Sequence, residues 1–282
     1  MDLTILGSGG CTVTPKPSCK CHVCEEAREK GIPYERTGPS AFIHDINLLI
    51  DTPAEISWQL NREKIEKIDY LLFTHVDPDH VEGFRVVEQV ALDFRSWTAY
   101  PQKQIHLLIP GYLRKDINNI CSVHGPFIDF YENSGFIKII NFESRFELDT
   151  VSLKAIPVFR YNEVSSIFVF QSGSMKMVYA PCDIKPFPID RKEVLNPDIL
   201  VIQPGIFEKG LKHGFIYEKN NISRTTLYTF EESLEISRVI DAGKTVFTHL
   251  EEYWNRSYDD YLAIQREYEK ILFAYDGMRL TV

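Results

Sequence analysis

The chain has 282 residues, of which 44% are hydrophobic and 25% are charged, an ordinary composition for a globular protein with a substantial core. Its net charge of −9, from 31 basic and 40 acidic residues, argues against a general nucleic-acid-binding protein, which normally carries a basic face. We expect a cytoplasmic protein without a membrane span, because the N-terminus lacks the features of a signal peptide and no apolar run approaches the roughly 18–20 residues that cross a bilayer.

Strand-like and helix-like segments alternate along the chain, without internal repeats or a linker rich in Pro, Gly and Ser. Such a mixture predicts one α/β or α+β domain whose sheets are covered by helices. The predicted strands are β-branched or aromatic runs at residues 3–6, 41–51, 70–74, 105–109, 137–142, 151–159, 167–171, 175–180, 199–203 and 244–248. The predicted helices are residues 81–92, residues 230–241 after a Thr229 N-cap, and residues 259–273.

Half of the six cysteines lie close together, at Cys19, Cys21 and Cys24. Thiolates at this spacing can surround one tetrahedral Zn²⁺, whereas disulfides between such near neighbours would be strained. In a reducing compartment this clustering indicates a metal site, and the alternative is a set of reduced thiols without a ligand. The remaining cysteines are predicted to be buried small hydrophobic residues: Cys11, Cys121 and Cys182.

The sequence THVDPDH, at residues 74–80, follows a predicted buried strand and precedes a predicted helix. Its proline favours an extended conformation in the residue before it. Alternate side chains of an extended segment share a face, which would bring together His75, Asp77 and Asp79, and His80 can join them where the helix begins. Two imidazoles and two carboxylates suit Zn²⁺, Mn²⁺ or Fe²⁺. The alternative is an acidic loop in which Asp79 is the N-cap of the helix.

THVDPDH resembles the His-x-His-x-Asp-His signature of the metallo-β-lactamase superfamily, with Asp77 at the place of the second histidine. Taken alone, a strand-end histidine or a turn aspartate would be ordinary, but further segments resemble those of the family in the expected order. They are the glycine-rich turn at residues 6–10, the strand end at residues 49–52, and the segments that end at Asp183 and at His249.

The resemblance implies the four-layer αββα sandwich of that superfamily, as a single domain over residues 1–282 with a small cysteine-rich zinc-binding insertion at about residues 17–37. In the superfamily two metal ions hold a water or hydroxide, lower its pKa and orient it for attack. The implied ligands are His75 and Asp77 for the first ion, Asp79, His80 and His249 for the second, and Asp183 as the bridge.

The chain departs from the family in the first metal site. The family supplies another histidine between the signature and the bridging aspartate, but here no histidine occurs between His124 and His213, and the region contains Arg160, Tyr161 and Asn162. Three consequences stay open. A harder ion such as Mn²⁺ or Fe²⁺ fills the first site, the first site is weak or empty, or the centre is inactive with Arg160 in place of the lost metal.

Asp79, Arg160 and His213 are the candidate catalytic residues. Asp79 would orient or deprotonate the attacking water. Arg160 could clamp a substrate phosphate by bidentate hydrogen bonds, or it forms an ion pair with a nearby acid. Phosphodiesterase relatives carry a proton-donating histidine before a late helix, but residues 220–236 contain none, so His213 is the nearby candidate, with a surface histidine as the alternative.

The cysteine cluster resembles the zinc-binding insertion of one branch of the superfamily, the cyclic-phosphate phosphodiesterases of phosphonate breakdown. In that branch a C-x-C-x-x-C motif follows the glycine-rich turn, and a run similar to residues 34–40 comes soon after it. The branch takes its fourth zinc ligand three residues beyond the late histidine, a position that is Glu252 here, and His22 is the alternative fourth ligand.

The resemblance implies a metal-dependent hydrolase, a phosphodiesterase that acts on a small or cyclic phosphodiester through a metal-bound hydroxide. Its cofactors would be a structural Zn²⁺ and one or two divalent ions, Zn²⁺, Mn²⁺ or Fe²⁺, in the active site. The acidic charge favours a small-molecule substrate over tRNA, whose processing endonucleases share the fold, and a homodimer is left open. The competing hypothesis is a catalytically degraded protein of the same fold that acts as a binding or partner subunit.

Overall fold

The computed structural model describes residues 1–160 and 163–281, so that Tyr161, Asn162 and Val282 lie outside the described residues. Two large sheets dominate the described part of the chain, and each contains seven strands. In chain order the strands are Asp2–Gly7 (β1), Ser40–Ile43 (β2), Leu48–Ile50 (β3), Tyr70–Leu72 (β4), Leu92–Asp93 (β5), Thr98–Ala99 (β6), Ile105–Pro110 (β7), Cys121–Ser122 (β8), Gly125–Pro126 (β9), Ile137–Phe142 (β10), Arg145–Leu148 (β11), Val151–Phe159 (β12), Val164–Ser172 (β13), Met175–Ala180 (β14), Ile199–Ile202 (β15), Lys244–Phe247 (β16), Ile271–Phe273 (β17) and Met278–Thr281 (β18).

The first sheet has the strand order β10-β7-β4-β3-β2-β1-β18, and the second has the order β11-β12-β13-β14-β15-β16-β17. In the first sheet β10, β7, β4 and β3 are parallel, and the remaining neighbours are antiparallel. In the second sheet β14, β15, β16 and β17 are parallel. The carboxyl ends of β3 and β4 therefore lie at one edge of their sheet, and those of β14, β15 and β16 lie at one edge of theirs.

The two sheets share a hydrophobic core. Because successive side chains of a strand point to opposite faces of the sheet, Leu48 and Ile50 of β3 face this shared core, whereas Leu49 faces the helices outside it. In the same way Phe168 of β13 faces the shared core and Ile167 faces outward. Burial on both sides of each sheet explains the nearly continuous apolar sequence of these strands.

Helices cover the outer faces of both sheets. Ile56 and Leu60 pack against the first sheet, while Phe230, Ile236 and Tyr261 pack against the second. The resulting order of layers confirms the predicted αββα sandwich. The helices are His22–Lys30 (α1), Ile56–Arg62 (α2), Pro78–Val81 (α3), Val86–Ala91 (α4), Arg114–Asn118 (α5), Phe127–Asn133 (α6), Ser223–Thr226 (α7), Phe230–Val239 (α8) and Tyr258–Gln265 (α9).

Two predicted elements are wrong in their continuity. The predicted strand 41–51 is a hairpin of β2 and β3 around the 3₁₀ turn His44–Ile46, where Asn47 takes a left-handed conformation with φ 47°. The predicted helix 81–92 is divided into α3, the 3₁₀ turn Glu82–Arg85 and α4. In both segments a tight turn interrupts an otherwise continuous apolar pattern.

The predicted helix 259–273 is also wrong at its end, because α9 stops at Gln265 and residues 271–273 form β17. β17 pairs in parallel with β16, so the place at the edge of the second sheet outweighs the helical pattern. The helices α1 and α2 were not predicted, because nine and seven residues are too few for a clear period. Among the described residues, no helix is long and apolar enough to cross a bilayer.

Candidate metal centre

The ends of the parallel strands bring the polar candidate residues together between the two sheets. Asp51 follows β3, and residues 74–80 begin shortly after β4. From the second sheet, Asp183 follows β14, Gln203 follows β15 and His249 follows β16. Three segments with candidate ligands, which are far apart in sequence, therefore meet Asp51 and Gln203 at one edge of the sandwich.

The loop at residues 74–80 has the predicted extended form before its helix. Asp77 has φ −66° and ψ 148°, and the helix α3 starts at Pro78. Asp79 lies inside the first turn of α3, and the residue at the N-cap, Asp77, makes no side-chain capping hydrogen bond. The interpretation of Asp79 as an N-cap is therefore wrong, and the carboxylates of this loop face other partners.

Asp79, His80 and His249 form one group of ligand atoms, which we call the His80 group. The Nε2 atoms of the two histidines lie 3.4 Å apart. Oδ2 of Asp79 lies 3.5 Å from Nε2 of His80 and 3.4 Å from Nε2 of His249. A divalent ion binds such nitrogen and oxygen atoms at about 2.0–2.2 Å. A point at that distance from all three atoms exists for a triangle of this size, so the group fits a metal ion.

His75, Asp77 and Asp183 form a second group of ligand atoms, which we call the His75 group. Nε2 of His75 lies 3.6 Å from Oδ2 of Asp77 and 3.7 Å from Oδ2 of Asp183. This nitrogen is buried and has no hydrogen-bond partner in the described part of the chain. An unpaired buried polar atom is costly, so the group also has the chemistry of a cation site.

The buried carboxylate of Asp51 orients the His80 ring through its Nδ1 atom. Oδ2 of Asp51 lies 2.9 Å from Nδ1 of His80, and Asp51 also accepts hydrogen bonds from the backbone N–H and the hydroxyl of Thr74 at 2.8 Å. Burial raises the pKa of Asp51 to about 7 and lowers the pKa of His80 well below its usual range. His80 is therefore a neutral imidazole, as metal ligation requires, and its Nε2 is directed toward Asp79 and His249.

Gln203 and Glu251 lie next to the other ring nitrogen of His249. Nδ1 of His249 lies 3.3 Å from Nε2 of Gln203 and 3.5 Å from Oε1 of Glu251. Burial would lower the pKa of His249, but the contact with Asp79 and the charge of Glu251 outweigh it and raise the pKa to about 8. Burial would raise the pKa of Asp79, but its contacts with His249 and His80 lower it to about 2. Asp79 is therefore a carboxylate at neutral pH.

Arg160 forms an ion pair with Asp183. Its Nη1 and Nη2 atoms donate to Oδ1 and Oδ2 of Asp183 at 2.6 Å and 2.7 Å, and Nη2 also donates to Glu163. The ion-pair alternative for Arg160 is thus the arrangement in the structure. The neighbouring Tyr161 and Asn162, which the sequence places in the same region, lie outside the described residues.

The structure does not bring His213 to the centre. Its side chain is exposed on the 3₁₀ turn Lys212–Gly214, and it does not line the pocket beside the His80 group and the His75 group. The prediction of a catalytic His213 is therefore not supported by its position. The turn directs the side chain of Lys212 inward instead, toward the cysteine cluster.

A pocket of about 350 Å³ opens beside the two ligand groups. Asp77, Asp79, Asp183 and His249 form its polar floor. The other lining residues are mainly neutral and aromatic, and they carry no lysine or arginine among the described residues: Cys11, Thr12, Cys182, Gln203, Tyr217, Thr226, Leu227, Glu251, Tyr253 and Trp254. A small molecule can reach the ligand groups through this pocket.

The cysteine cluster converges on one oxygen. The Sγ atoms of Cys19, Cys21 and Cys24 lie 3.4, 3.2 and 3.1 Å from Oε1 of Glu252, which is 2% exposed. These four ligand atoms fit a tetrahedral Zn²⁺ site. The alternative ligand His22 is exposed and is not part of this group.

Lys212 is a member of the cluster that the sequence did not indicate. Its ammonium group donates to Cys19 at 2.9 Å and contacts Glu252. Burial opposes the charge of Glu252, but the hydrogen bonds from Lys212 and the thiols lower its pKa to about 2. The hydrogen bond from Lys212 also lowers the pKa of Cys19. A buried lysine in a loop has no sequence signal that would identify its partner.

Cys11 and Cys121 are exposed, so the prediction that they are buried hydrophobic residues is wrong, whereas Cys182 is buried as predicted. Gln203 and Glu251 were not selected from the sequence. Their position in the sequence is the only signal for them. Gln203 directly follows an apolar strand, and Glu251 is two residues after the strand-end histidine His249.

Solved structures share this fold over the whole chain. A diphosphatase from the PhnP family has 21% sequence identity and a TM-score of 0.71, with 100% of this chain and 97% of that chain covered. Zn²⁺-bound PqqB from Methylobacterium extorquens has 16% identity and a TM-score of 0.75, with 100% of both chains covered. The short form of human tRNase Z has 16% identity and a TM-score of 0.62, with 100% and 99% covered. No curated protein sequence matches the chain.

The part of the chain that matches a known protein family includes the elements that carry the two ligand groups. Residues 46–250 match the family described as the beta-lactamase superfamily domain. This range contains the loop at residues 74–80, Asp183 and His249, which are the segments that the resemblance singled out. The chain therefore belongs to the metallo-β-lactamase superfamily, whose members are mainly metal-dependent hydrolases.

Proposed function

We propose that the protein is a metal-dependent phosphodiesterase that hydrolyses a small or cyclic phosphodiester. The observation that carries this proposal is the His80 group, in which two oriented imidazoles and one carboxylate surround a point beside an open pocket. A bound divalent ion supplies Lewis-acid stabilisation of negative charge on phosphorus-bound oxygens and lowers the pKa of water.

The side chains of the chain have distinct tasks in this reaction. His80 and His249 would hold the ion through Nε2. Asp51 fixes the orientation of the His80 ring through Nδ1, and the carboxylate of Glu251 lies 3.5 Å from Nδ1 of His249. Asp79, which is ionised at neutral pH because its pKa is about 2, can accept a hydrogen bond from the attacking water and aim it at the substrate. Tyr217 and Tyr253 form an aromatic side of the pocket that can contact the leaving group.

The size and charge of the pocket favour a small substrate. About 350 Å³ accommodates a small phosphodiester, and the net charge of −9 opposes a large polyanion such as tRNA. The structural similarity to a diphosphatase from the PhnP family supports the proposal of phosphorus chemistry and of a placement in that branch.

The cysteine cluster is the basis of a second metal proposal. Cys19, Cys21, Cys24 and Glu252 would hold a structural Zn²⁺, which would join the start of α1 and the residues before it to the loop that follows His249. Lys212 offsets part of the negative charge of three thiolates and a carboxylate. Such a site would stiffen the rim of the pocket, because Glu251 and Glu252 are adjacent in the chain.

A second candidate function is that of a binding subunit with a degraded catalytic centre. One observation favours it: both oxygens of Asp183, which would bridge two ions, are engaged by Arg160. A protein of this kind would bind a ligand in the pocket without turning it over.

Turnover of bis-p-nitrophenyl phosphate separates the two functions. This substrate has a good leaving group, so it does not require a proton donor in the place where His213 was expected. We expect metal-dependent hydrolysis by the wild type, loss of hydrolysis in His80→Ala, and unchanged hydrolysis in His213→Ala, since His213 is exposed outside the pocket. Absence of turnover by wild type reconstituted in turn with Zn²⁺, Mn²⁺ and Fe²⁺ would reject the phosphodiesterase and favour the binding subunit.

A further inference from the structure

The His75 group has an arginine paired with one of its carboxylates, and the His80 group does not. The His80 group contains two imidazoles and a carboxylate, and no lysine or arginine of the described residues is paired with Asp79. The His75 group contains one imidazole and two carboxylates, and one of these carboxylates is paired with Arg160. This difference in the pairing of the carboxylates does not depend on which reaction the centre performs.

Arg160 engages both carboxylate oxygens of Asp183, which are the atoms that this residue would offer to a metal ion. Two parallel hydrogen bonds of 2.6 and 2.7 Å engage both carboxylate oxygens of Asp183, which is a bidentate arrangement of high specificity. The guanidinium also contacts Glu163, and the side chain of Arg160 is 14% exposed. Arginine stays protonated in proteins, so its positive charge is permanent.

The position of Arg160 is fixed by the sheet. Arg160 directly follows β12, and its backbone N–H donates to the carbonyl of Glu163 at 2.9 Å, immediately before β13. β12 and β13 are paired from Ser152 with Gln171 to Phe159 with Val164. The guanidinium therefore extends from a closed hairpin end toward Asp183.

A permanent cation at this place opposes a second divalent ion in two ways. Like charges at such short range repel strongly in a partly buried site. When Asp183 is engaged by Arg160, the His75 group is left with Nε2 of His75 and the carboxylate of Asp77, whereas zinc sites use three or more protein ligands. The His80 group keeps three ligands without Asp183.

We propose that the centre holds one resident divalent ion, bound by Asp79, His80 and His249, and that Arg160 supplies the positive charge on the opposite side in place of a second ion. Asp183 is then the partner of Arg160 and not a bridge between ions. The ion belongs to the class that accepts mixed imidazole and carboxylate ligands, such as Mn²⁺, Fe²⁺ or Zn²⁺. Arg160 acts as a positioning residue that sets the number of ions at the centre.

Titration of the metal-free full chain with Mn²⁺, followed by electron paramagnetic resonance of free and bound ion, tests the proposal. Mn²⁺ is chosen because it prefers nitrogen and oxygen ligands and avoids the thiolates of the cysteine cluster. We expect one tightly bound Mn²⁺ per wild-type chain, and none in His249→Ala. Arg160→Gln should bind two, with the second ion at least about tenfold tighter than any second ion in the wild type and with a spin-coupled signal from the pair.

Two further variants keep the result interpretable. Arg238→Gln, which removes an exposed arginine paired with Glu235, is the matched control and should bind one ion like the wild type. Asp183→Asn should still bind one Mn²⁺ with an affinity within a few-fold of the wild type, because Asp183 is not a ligand of the resident ion. Two Mn²⁺ in the wild type, one in a folded Arg160→Gln, or loss of the single ion in Asp183→Asn would each overturn the proposal.

The titration is independent of turnover. Failure to hydrolyse bis-p-nitrophenyl phosphate by a wild type that binds one Mn²⁺ would reject the proposed reaction and leave the single-ion centre in place. Two ions in an active wild type would reject the single-ion centre and leave the reaction in place.

Discussion

Asp51 shows how a residue outside the ligand set controls the centre. It is fully buried, and its carboxylate joins Thr74 to Nδ1 of His80, so it sets the tautomer and the orientation of that ring. Partners of this kind raise the basicity of a ligating imidazole and hold it in place.

Asp51→Asn should lower the affinity of the His80 group for a divalent ion by about 10–100-fold, because the neutral amide holds the imidazole less firmly in the required tautomer. Competition between the protein and a chelator of known affinity measures this change. Asp45→Asn, at a solvent-facing carboxylate of the turn between β2 and β3, is the control. An affinity of Asp51→Asn equal to that of the wild type would contradict this role.

His249 links the stability of the metal-free protein to pH. Its pKa is raised from the ordinary 6.5 to about 8, in spite of burial, by Asp79 and Glu251. The protonated ring therefore stabilises the folded state below about pH 6.5, and this contribution is lost as the pH rises through about 8. The shift corresponds to about 2 kcal/mol of unfolding free energy.

Urea unfolding in the presence of EDTA at about pH 6 and about pH 9 should show this loss in the wild type. His249→Gln should show a pH dependence that is smaller by about 2 kcal/mol, since the neutral amide does not titrate. The same pH dependence in both proteins would mean that other groups cause it.

At the scale of single residues, the sequence singled out the members of the His80 group and the His75 group, but not the residues that contact them. His75, Asp77, Asp79 and His80 are close in sequence, and the order of the later strand ends pointed to Asp183 and His249. The pairing of Asp183 with Arg160 depends on the closed hairpin end of β12 and β13, a distance that no local pattern contains.

A capping box at its N-terminus determines where the helix α8 begins. Thr229 accepts a hydrogen bond from the backbone N–H of Glu232, and the side chain of Glu232 accepts one from the backbone N–H of Thr229. This capping box fixes the start of a helix that buries Phe230 and Ile236 against the second sheet. The predicted N-cap at Thr229 is confirmed.

Thr229→Ala should lower the unfolding free energy by about 1 kcal/mol, because the backbone N–H of Glu232 loses its partner. Thr229→Ser retains the hydroxyl and should cost much less. Urea unfolding followed by circular dichroism measures both variants. Equal stability of Thr229→Ala and wild type would show that water replaces the cap without loss.

At the scale of elements, strands were easier to predict than helices. The bounds of β10, β12 and β14 match the predicted segments, because their apolar and β-branched runs end at clear turn residues. The segment 271–273 was assigned to a helix, since its apolar residues fit either period and only the pairing with β16 decides between them. The hairpin turn at Asn47 was missed because it lies within a nearly continuous apolar run.

At the scale of the whole molecule, the core between the sheets joins the two halves of the chain. Leu3 and Ile50 of the first sheet share this core with Phe170, Tyr179 and Val246 of the second. Neither sheet can lose its partner without exposing a large apolar face. We therefore propose that residues 1–282 fold as one unit.

Chemical unfolding of the wild type should show one transition, with the same midpoint by tryptophan fluorescence and by far-ultraviolet circular dichroism. Phe170→Ala, in the shared core, should cost about 3–5 kcal/mol and shift that single transition. Phe94→Ala, at a side chain that is 72% exposed, should change it by less than about 0.5 kcal/mol. Two separate transitions would contradict one folding unit.

The two proposed metal sites are separate in the molecule: one lies at the strand ends and the other is the zinc site at the cysteine cluster. Metal content by mass spectrometry, on protein purified without added metals, tests this separation most directly. We predict about two divalent ions per wild-type chain, with loss of one ion in Asp79→Ala and of a different one, Zn²⁺, in Cys21→Ser. A wild type whose only ion is lost in Cys21→Ser and is unaffected by Asp79→Ala would contradict the metal centre.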